Sequence, residues 1–336
     1  MKVMLTTGDG IERLRFEERT RPRPAAGQVL VRMTAASLNY RDLLVINGFG
    51  RWKTQTPRIP VSDGAGEVVE LGDGVTRWKT GDRVVGNFLP HWYSGEPSDE
   101  NTSGALGGSA ADGVMSEFRI FDESALVRAP AELSDLEAST LPVAGVTAWQ
   151  AVARRSRVKS GETVLIHGSG GVALFAAQFA LALGATPIMT SSSDAKIARL
   201  RELGMAHAVN YETDNNWQDR VLELTSGRGV DHVMETVGGT NLNNSLQLVR
   251  VGGTVSFIGL IAGLSAPVDL YQFVMRSITL HGIETGSREM FEEMNLFISD
   301  KRLRPVVDRV FEWDEIGEAL RYLESSDHLG KVVVRI

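Results

Sequence analysis

Gly168-Ser169-Gly170-Gly171-Val172-Ala173 spells G-x-G-x-x-A directly after the apolar run Thr163-Val164-Leu165-Ile166. Glycines at that spacing are suited to holding a pyrophosphate. Gly168 permits the tight turn, Gly170 lets the backbone approach phosphate, and Ala173 allows close packing of the following helix on its strand. A helix opening at Gly171 and Val172 offers unpaired amides and the positive end of its dipole to the anion. A tight strand–helix turn without a ligand uses the same triplet, so the surrounding elements have to decide.

The second chemical signal lies near the end of the next strand. An NAD site carries a carboxylate there, about 20 residues past the first glycine, to hold the ribose hydroxyls. Here the chain reads Ser191-Ser192-Ser193-Asp194-Ala195-Lys196. The hydroxyls of Ser191 and Ser192 with Lys196 suit a 2′-phosphate, so the expected cofactor is NADP(H). Asp194 is expected to cap the helix that follows, and Tyr211 to come within reach of the phosphate. Phe88, His91 and Trp92, with Tyr93, form an aromatic group that either receives an apolar planar substrate or anchors a long loop. His167, His207, His232 and His281 lie in expected strands and read as packed residues.

These residues need a scaffold, and its rhythm changes partway along the chain. Gln28–Met33, Glu67–Leu71 and Arg83–Val85 alternate or are β-branched, with turn residues between them, which predicts a small antiparallel barrel. Residues 88–113, rich in Gly, Ser and Asp, predict a long surface loop. From about residue 146, strands alternate with helices. Strands are expected at Thr163–Ile166, Pro187–Thr190, Ala208–Tyr211, Val230–Met234, Thr254–Ile258 and Ser277–Gly282. Helices are expected at Val172–Leu183, Ala195–Leu203, Trp217–Thr225 and Leu242–Val249. That is an α/β arrangement, a doubly wound parallel six-stranded sheet of the Rossmann kind. Helices at Glu289–Ser299 and Ile316–Leu323 and a strand at Lys331–Ile336 return to the first domain. The expected domains are 1–145 with 285–336, and 146–284.

At 336 residues the chain exceeds one ordinary core. A net charge of −7 without a basic stripe argues against nucleic acid. The N-terminal residues lack the apolar core of a signal peptide, and no stretch approaches the roughly 18 apolar residues of a membrane span. Cysteine is absent, so there are neither disulfides nor thiolate ligands. A cytoplasmic protein with a small-molecule substrate is expected.

Asn39-Tyr40-Arg41-Asp42, Asp63-Gly64-Ala65-Gly66-Glu67-Val68-Val69, Lys79-Thr80-Gly81-Asp82-Arg83-Val84, Gly145-Val146-Thr147-Ala148-Trp149 and Leu329-Gly330-Lys331-Val332-Val333 resemble motifs of the medium-chain dehydrogenase/reductase superfamily. The resemblance implies a GroES-like catalytic domain, a Rossmann domain and a cleft between them. Zinc alcohol dehydrogenases of that superfamily place a cysteine near 39, Gly-His-Glu near 62 and a cysteine near 143, where this chain has Asn39, Val61-Ser62-Asp63 and Val143. Four further cysteines of a structural zinc lobe are missing from 88–113. The six histidines are scattered, so no metal is expected. The resemblance is to the zinc-free, quinone-oxidoreductase-like branch, whose members reduce quinones or activated C=C bonds.

Site roles follow from that resemblance. Asn39 and Tyr40 fall on the active-site loop, as hydrogen-bond donors to the acceptor oxygen or, for Tyr40, as a proton source. Ser62 faces the substrate, and Arg41 and Asp42 pair with each other. Thr147 lies under the nicotinamide, Gly238 shapes the pyrophosphate side, and Gly259, Leu260 and Ile261 run along the nicotinamide half. Gly330 and Lys331 close over the cofactor. Two alternatives stay open: a zinc-free alcohol dehydrogenase or enoyl-thioester reductase, and an NADPH-binding sensor without turnover. An edge strand at 277–282 makes a homodimer the expected assembly.

Overall fold

Val3, Met4 and Leu5 are buried on a short strand, β1 (Lys2–Leu5), which pairs antiparallel with β2 (Arg15–Glu18) in the computed structural model, and residues 1–336 are all described. The alternating run that begins at Gln28 extends further than its sequence signal, to β3 (Gln28–Ser37). After helix α1 (Tyr40–Ile46) come β4 (Asp63–Leu71), β5 (Arg83–Gly86), β6 (Phe118–Asp122), β7 (Leu126–Arg128) and the one-turn α2 (Asp135–Ala138). β3 is the spine of the sheet, with β4 antiparallel on one side and β6 antiparallel along its first half.

The stretch between β5 and β6 holds no helix or strand, as its composition predicts, yet it is not simply surface. Phe88, Leu89, Trp92 and Leu106 are buried. A loop of that length stays ordered by sinking apolar anchors, since it has no ladder of backbone hydrogen bonds.

The chain clusters into two units, Met1–Val146 with Gly286–Ile336, and Thr147–Thr285. The second opens on α3 (Val146–Trp149) and a wider π-helical turn at Gln150–Arg155. It continues with β8 (Thr163–His167), α4 (Gly171–Ala182), β9 (Thr186–Ser191), α5 (Asp194–Glu202), β10 (His207–Asn210), α6 (Trp217–Leu224), β11 (Val230–Glu235), α7 (Asn241–Leu248), β12 (Val249–Phe257), α8 (Leu270–Met275) and β13 (Thr279–Gly282). The six strands are all parallel, in the order β10-β9-β8-β11-β12-β13. Leu165, Ile188, Val233 and Val255 fill the core under the sheet with Leu246 of α7. The last strand starts two residues later than its sequence signal, because Ser277 sits at φ 51° in a left-handed turn.

The remaining elements, α9 (Arg288–Lys301), β14 (Val307–Glu312), α10 (Ile316–Glu324) and β15 (Lys331–Arg335), belong to the first unit. β15 pairs parallel with β14 and antiparallel with β3. Val332 and Val334 of β15 share a core with Val31, Met33, Val68 and Leu126.

Candidate active site

Five polar side chains meet at the start of α1, the start of β4 and the start of β15. Asn39 precedes α1, and its backbone N–H donates to Asp42 Oδ2 at 2.8 Å, which folds the helix start back on itself. Lys331 Nζ donates to the Leu38 carbonyl and to Asn39 Oδ1, both at 2.6 Å. Only the amide oxygen can accept from an ammonium, so Asn39 Nδ2 points the other way, to Ser62 Oγ at 3.3 Å. Ser62 Oγ in turn donates to Asp63 Oδ1 at 2.8 Å, and its backbone N–H to Asp42 Oδ1 at 3.3 Å. Asp63 Oδ2 accepts from the Val143 N–H at 3.1 Å.

Burial makes this cluster electrostatically tense. Asp42 and Asp63 are both 0 % exposed. Desolvation pushes Asp42 up to about 6, with the Asp63 charge adding to the rise and Arg41 opposing it. Burial raises Asp63 as well, against the pull of Lys331. Burial lowers Lys331, and the two carboxylates pull it back. Arg41 stands 3.6 Å from Asp42, so the pair expected from the sequence is present. The charge of each group is therefore bearable only because the others are there.

The backbone around Ser62 is constrained too. Val61, a β-branched residue, sits at φ 70°, a conformation costing on the order of 1–3 kcal/mol. Gly113 and Gly107 press against its carbonyl group with no room for a side chain. The Val61 carbonyl then accepts from Val114 N–H at 2.9 Å.

Several site expectations need correction. The ammonium of the tail residue Lys331 is held within its own unit by the Leu38 carbonyl and Asn39 Oδ1, with two buried carboxylates adding to the pull. Gly330, at φ 89°, is required by the close approach of Val306. Ser62 is fully buried and spends its proton on Asp63, so it positions Asn39 and does not face a substrate. Phe88 packs under the Arg41 guanidinium, 4.7 Å from the ring centre, and Trp92 is buried with its indole N–H on the Gly95 carbonyl. Both serve as loop anchors, while His91 is exposed. Tyr40 is exposed at the first turn of α1.

In the other unit the glycine loop has the geometry a dinucleotide requires. Gly168 adopts φ 80°, and Gly170, beside Ser169, precedes α4 with no side chain capping the helix. A Cβ on Gly170 would meet nothing within 4 Å. The first turn of α4, Gly171, Val172 and Ala173, thus has no capping side chain at the positive end of a 12-residue helix. These residues fit a pyrophosphate.

At the end of β9, Ser191 is buried and its hydroxyl accepts from Ser193 N–H at 3.3 Å. Ser192 is exposed beside Lys196 in the first turn of α5. Ser193 caps α5, accepting from the Lys196 amide, and Asp194 instead takes a 2.7 Å hydrogen bond from Asn210. The expected cap is off by one residue. Tyr211 donates its backbone N–H to the Ser191 carbonyl and exposes its ring.

Thr147 is buried with its hydroxyl on the Glu284 carbonyl at 3.2 Å. A side chain on Gly238 would collide with the Gly259 carbonyl, and one on Gly259 with the Thr236 backbone. These two glycines let the turns after β11 and β12 touch, leaving Leu260 and Ile261 exposed.

A zinc ion does not fit. The side chains at 39 and 62 are hydrogen-bonded to one another and to a resident ammonium, and position 143 offers only a backbone N–H.

Two family models match the chain. Residues 25–131 match the alcohol dehydrogenase GroES-like domain and residues 171–300 the zinc-binding dehydrogenase domain. A zinc-type alcohol dehydrogenase-like protein of Schizosaccharomyces pombe is 40% identical over 334 residues, covering 97% of this chain and 96% of its own. The crystal structure of a putative alcohol dehydrogenase from Sinorhizobium meliloti 1021 superposes with a TM-score of 0.93 at 36% identity, covering 100% of both chains. An NAD-dependent alcohol dehydrogenase gives 0.90 at 29% identity over 100% of both. A 2-octenoyl-CoA carboxylase reductase in complex with NADP and 2-octenoyl-CoA gives 0.88 at 27%, over 99% of this chain and 87% of that one. With both domain models matched and a relative similar over nearly its whole length, this chain is an oxidoreductase of the medium-chain dehydrogenase/reductase superfamily.

Proposed function

We propose that this oxidoreductase reduces a quinone or an activated C=C or C=O bond with NADPH and without zinc. The observation that carries the reading is the Asn39–Lys331 contact, at the place where zinc relatives would hold their metal. The ammonium withdraws electron density from the Asn39 carbonyl and makes its Nδ2–H a better donor. One Nδ2 proton goes to Ser62. Asp63 also takes a hydrogen bond from the Asn39 amide, and an acceptor oxygen that gains negative charge during reduction competes with it for that donor. Enones and quinones need only that degree of polarisation, whereas a simple ketone needs a Lewis acid. The exposed Tyr40 beside Asn39 supplies the proton. The reduced nicotinamide, when bound, supplies the hydride.

NADPH is favoured over NADH because no carboxylate ends β9 in a position to repel a 2′-phosphate. Asp194 is held by Asn210, and the exposed Ser192 and the first turn of α5, which carries Lys196, offer a hydroxyl and a positive charge on the same segment. The neighbour solved with NADP and 2-octenoyl-CoA keeps enoyl thioesters among the acceptors to be tested.

The test is NADPH and NADH oxidation against quinones, enones, enoyl thioesters and aldehydes, with metal content measured on the same sample. Turnover of enones or quinones by metal-free protein, with NADPH preferred, is the expected result. Nucleotide binding without turnover of any acceptor would favour a sensor, and loss of activity on chelation would sink the zinc-free mechanism.

A homodimer through the outer strand β13 belongs to the same reading. Leu280 on β13 and Leu270, Tyr271, Val274 and Met275 on α8 are exposed together, an apolar surface that a second copy would cover. Light scattering that shows only monomer would remove it.

A further inference from the structure

His167 ends β8, immediately before the glycine loop, and is 2 % exposed. Nothing in the proposed reduction uses it, yet every polar atom of its ring is engaged. Nδ1 lies 3.2 Å from Thr190 Oγ1, and Nε2 lies 3.1 Å from Ser245 Oγ. Beyond each hydroxyl stands a loop of the nucleotide-binding unit. Thr190 Oγ1 accepts from the Gly168 N–H at 3.4 Å. Ser245 Oγ donates to Glu235 Oε2 at 2.6 Å. Glu235 Oε1 accepts from the backbone N–H groups of Val237 and Gly238, both at 2.9 Å, and Oε2 also accepts from Asn241 Nδ2 at 2.8 Å.

The donors and acceptors allow one polarity for the chain. A carboxylate only accepts, so the Ser245 proton points to Glu235, and Ser245 Oγ must accept from His167 Nε2–H. The neutral ring then has its lone pair on Nδ1, which accepts from the Thr190 hydroxyl. Thr190 Oγ1 keeps a lone pair for the Gly168 amide. Burial favours the neutral ring by lowering the imidazole pKa, and Glu235, 3.8 Å from Nε2, opposes that shift. A second link runs beside the first, from the Thr236 hydroxyl to the His167 carbonyl.

We propose that His167 is a positioning residue of the nucleotide site: the Gly168–Thr190–His167–Ser245–Glu235 relay fixes the amide of the glycine loop and the amides of the 237–238 turn in one register. This rests on the dinucleotide reading given above. Both loops line the carboxyl ends of adjacent strands, β8 and β11, where ligands of open parallel sheets bind. A linked chain of buried hydrogen bonds transmits the position of one loop to the other, because displacing either leaves a buried donor or acceptor unpaired.

The experiment is an NADPH fluorescence titration with steady-state kinetics on the full chain, for wild type, His167→Leu, His167→Asn, His167→Gln, Thr190→Val and Ser245→Ala. His167→Leu is expected to weaken NADPH binding roughly tenfold, and Thr190→Val and Ser245→Ala roughly threefold to tenfold each. The loss falls on KM for NADPH and not on kcat. The two amide variants split the relay. Asn keeps an acceptor near Nδ1 and recovers the Thr190 arm, while Gln keeps a donor near Nε2 and recovers the Ser245 arm. Adding Ser245→Ala to His167→Leu is expected to weaken binding no further, since that arm is already cut. Should His167→Leu fail to fold, the two hydroxyl deletions, each close to isosteric, still decide. Wild-type affinity in Thr190→Val and Ser245→Ala overturns the relay while leaving the cofactor reading intact. Wild-type protein that binds neither NADPH nor NADH overturns both.

Discussion

Lys331 Nζ and Asn39 Oδ1 lie 2.6 Å apart, and this contact sets which way the Asn39 amide faces. The lysine comes from the last strand and the asparagine from the loop before the first helix, yet the two share one buried cluster with Asp42 and Asp63.

Replacing Lys331 with Met strands two buried carboxylates. The expected cost is about 3 kcal/mol of unfolding free energy at pH 8, as for breaking other buried ion pairs. The cost shrinks toward pH 5, where Asp42 takes up its proton. Urea denaturation at the two pH values checks this, and equal losses at both would refute the electrostatic account.

Asn39→Ala removes the donor assigned to the acceptor oxygen. Its kcat is expected to fall about a hundredfold, at the low end for loss of one oxyanion donor, with NADPH affinity unchanged. Stopped-flow reduction of an enone or quinone at saturating NADPH measures it. A loss confined to nucleotide binding would remove Asn39 from the chemistry.

Asp42 gives stability a pH dependence of unusual sign. Its folded pKa, about 6, lies above the unfolded value of 3.8, so the folded state holds the extra proton between those values. Stability from this group is therefore present at low pH and lost as pH rises through the window from about 4 to 6. Between pH 8 and 4.5, wild type is expected to gain about 2 kcal/mol relative to Asp42→Asn. Parallel stability curves for the two proteins would contradict it.

Gly170 and Gly259 separate a ligand requirement from a folding requirement. Gly170→Val meets open space, so stability should change by no more than about 1 kcal/mol while NADPH affinity drops at least roughly tenfold. Gly259→Ala drives a methyl into the Thr236 backbone and is expected to cost about 3 kcal/mol. Thermal melts with and without nucleotide distinguish the two outcomes.

The sequence carries the parallel sheet clearly. Runs such as Val164-Leu165-Ile166 and Val233-Met234-Glu235 are buried on both faces, and α4 and α5 each stop just before a left-handed glycine, Gly184 and Gly204. The antiparallel unit is harder to read, because β1, β2 and β14 are short or half exposed and lack clean alternation. The glycine loop is legible from spacing alone, since its chemistry resides in the backbone. The Asn39 cluster is not. The resemblance assigns Lys331 to the cofactor, and only the fold reveals two buried acids beside its ammonium. The Ser193 cap also escapes, because three consecutive serines followed by an aspartate offer the helix four candidate side chains.

β15 has a consequence for how the protein is made. The parallel-sheet unit draws all its strands from one uninterrupted stretch, residues 147–285, and can condense as soon as that stretch leaves the ribosome. The other unit cannot. Its sheet stays open beside β3 until residues 331–335 arrive, and Lys331 arrives with them. During synthesis Asp42 and Asp63 have no buried cation to meet, so they remain hydrated and the buried cluster assembles late. Nascent chains stalled before residue 331 should therefore carry a protease-resistant central segment flanked by cleavable ends.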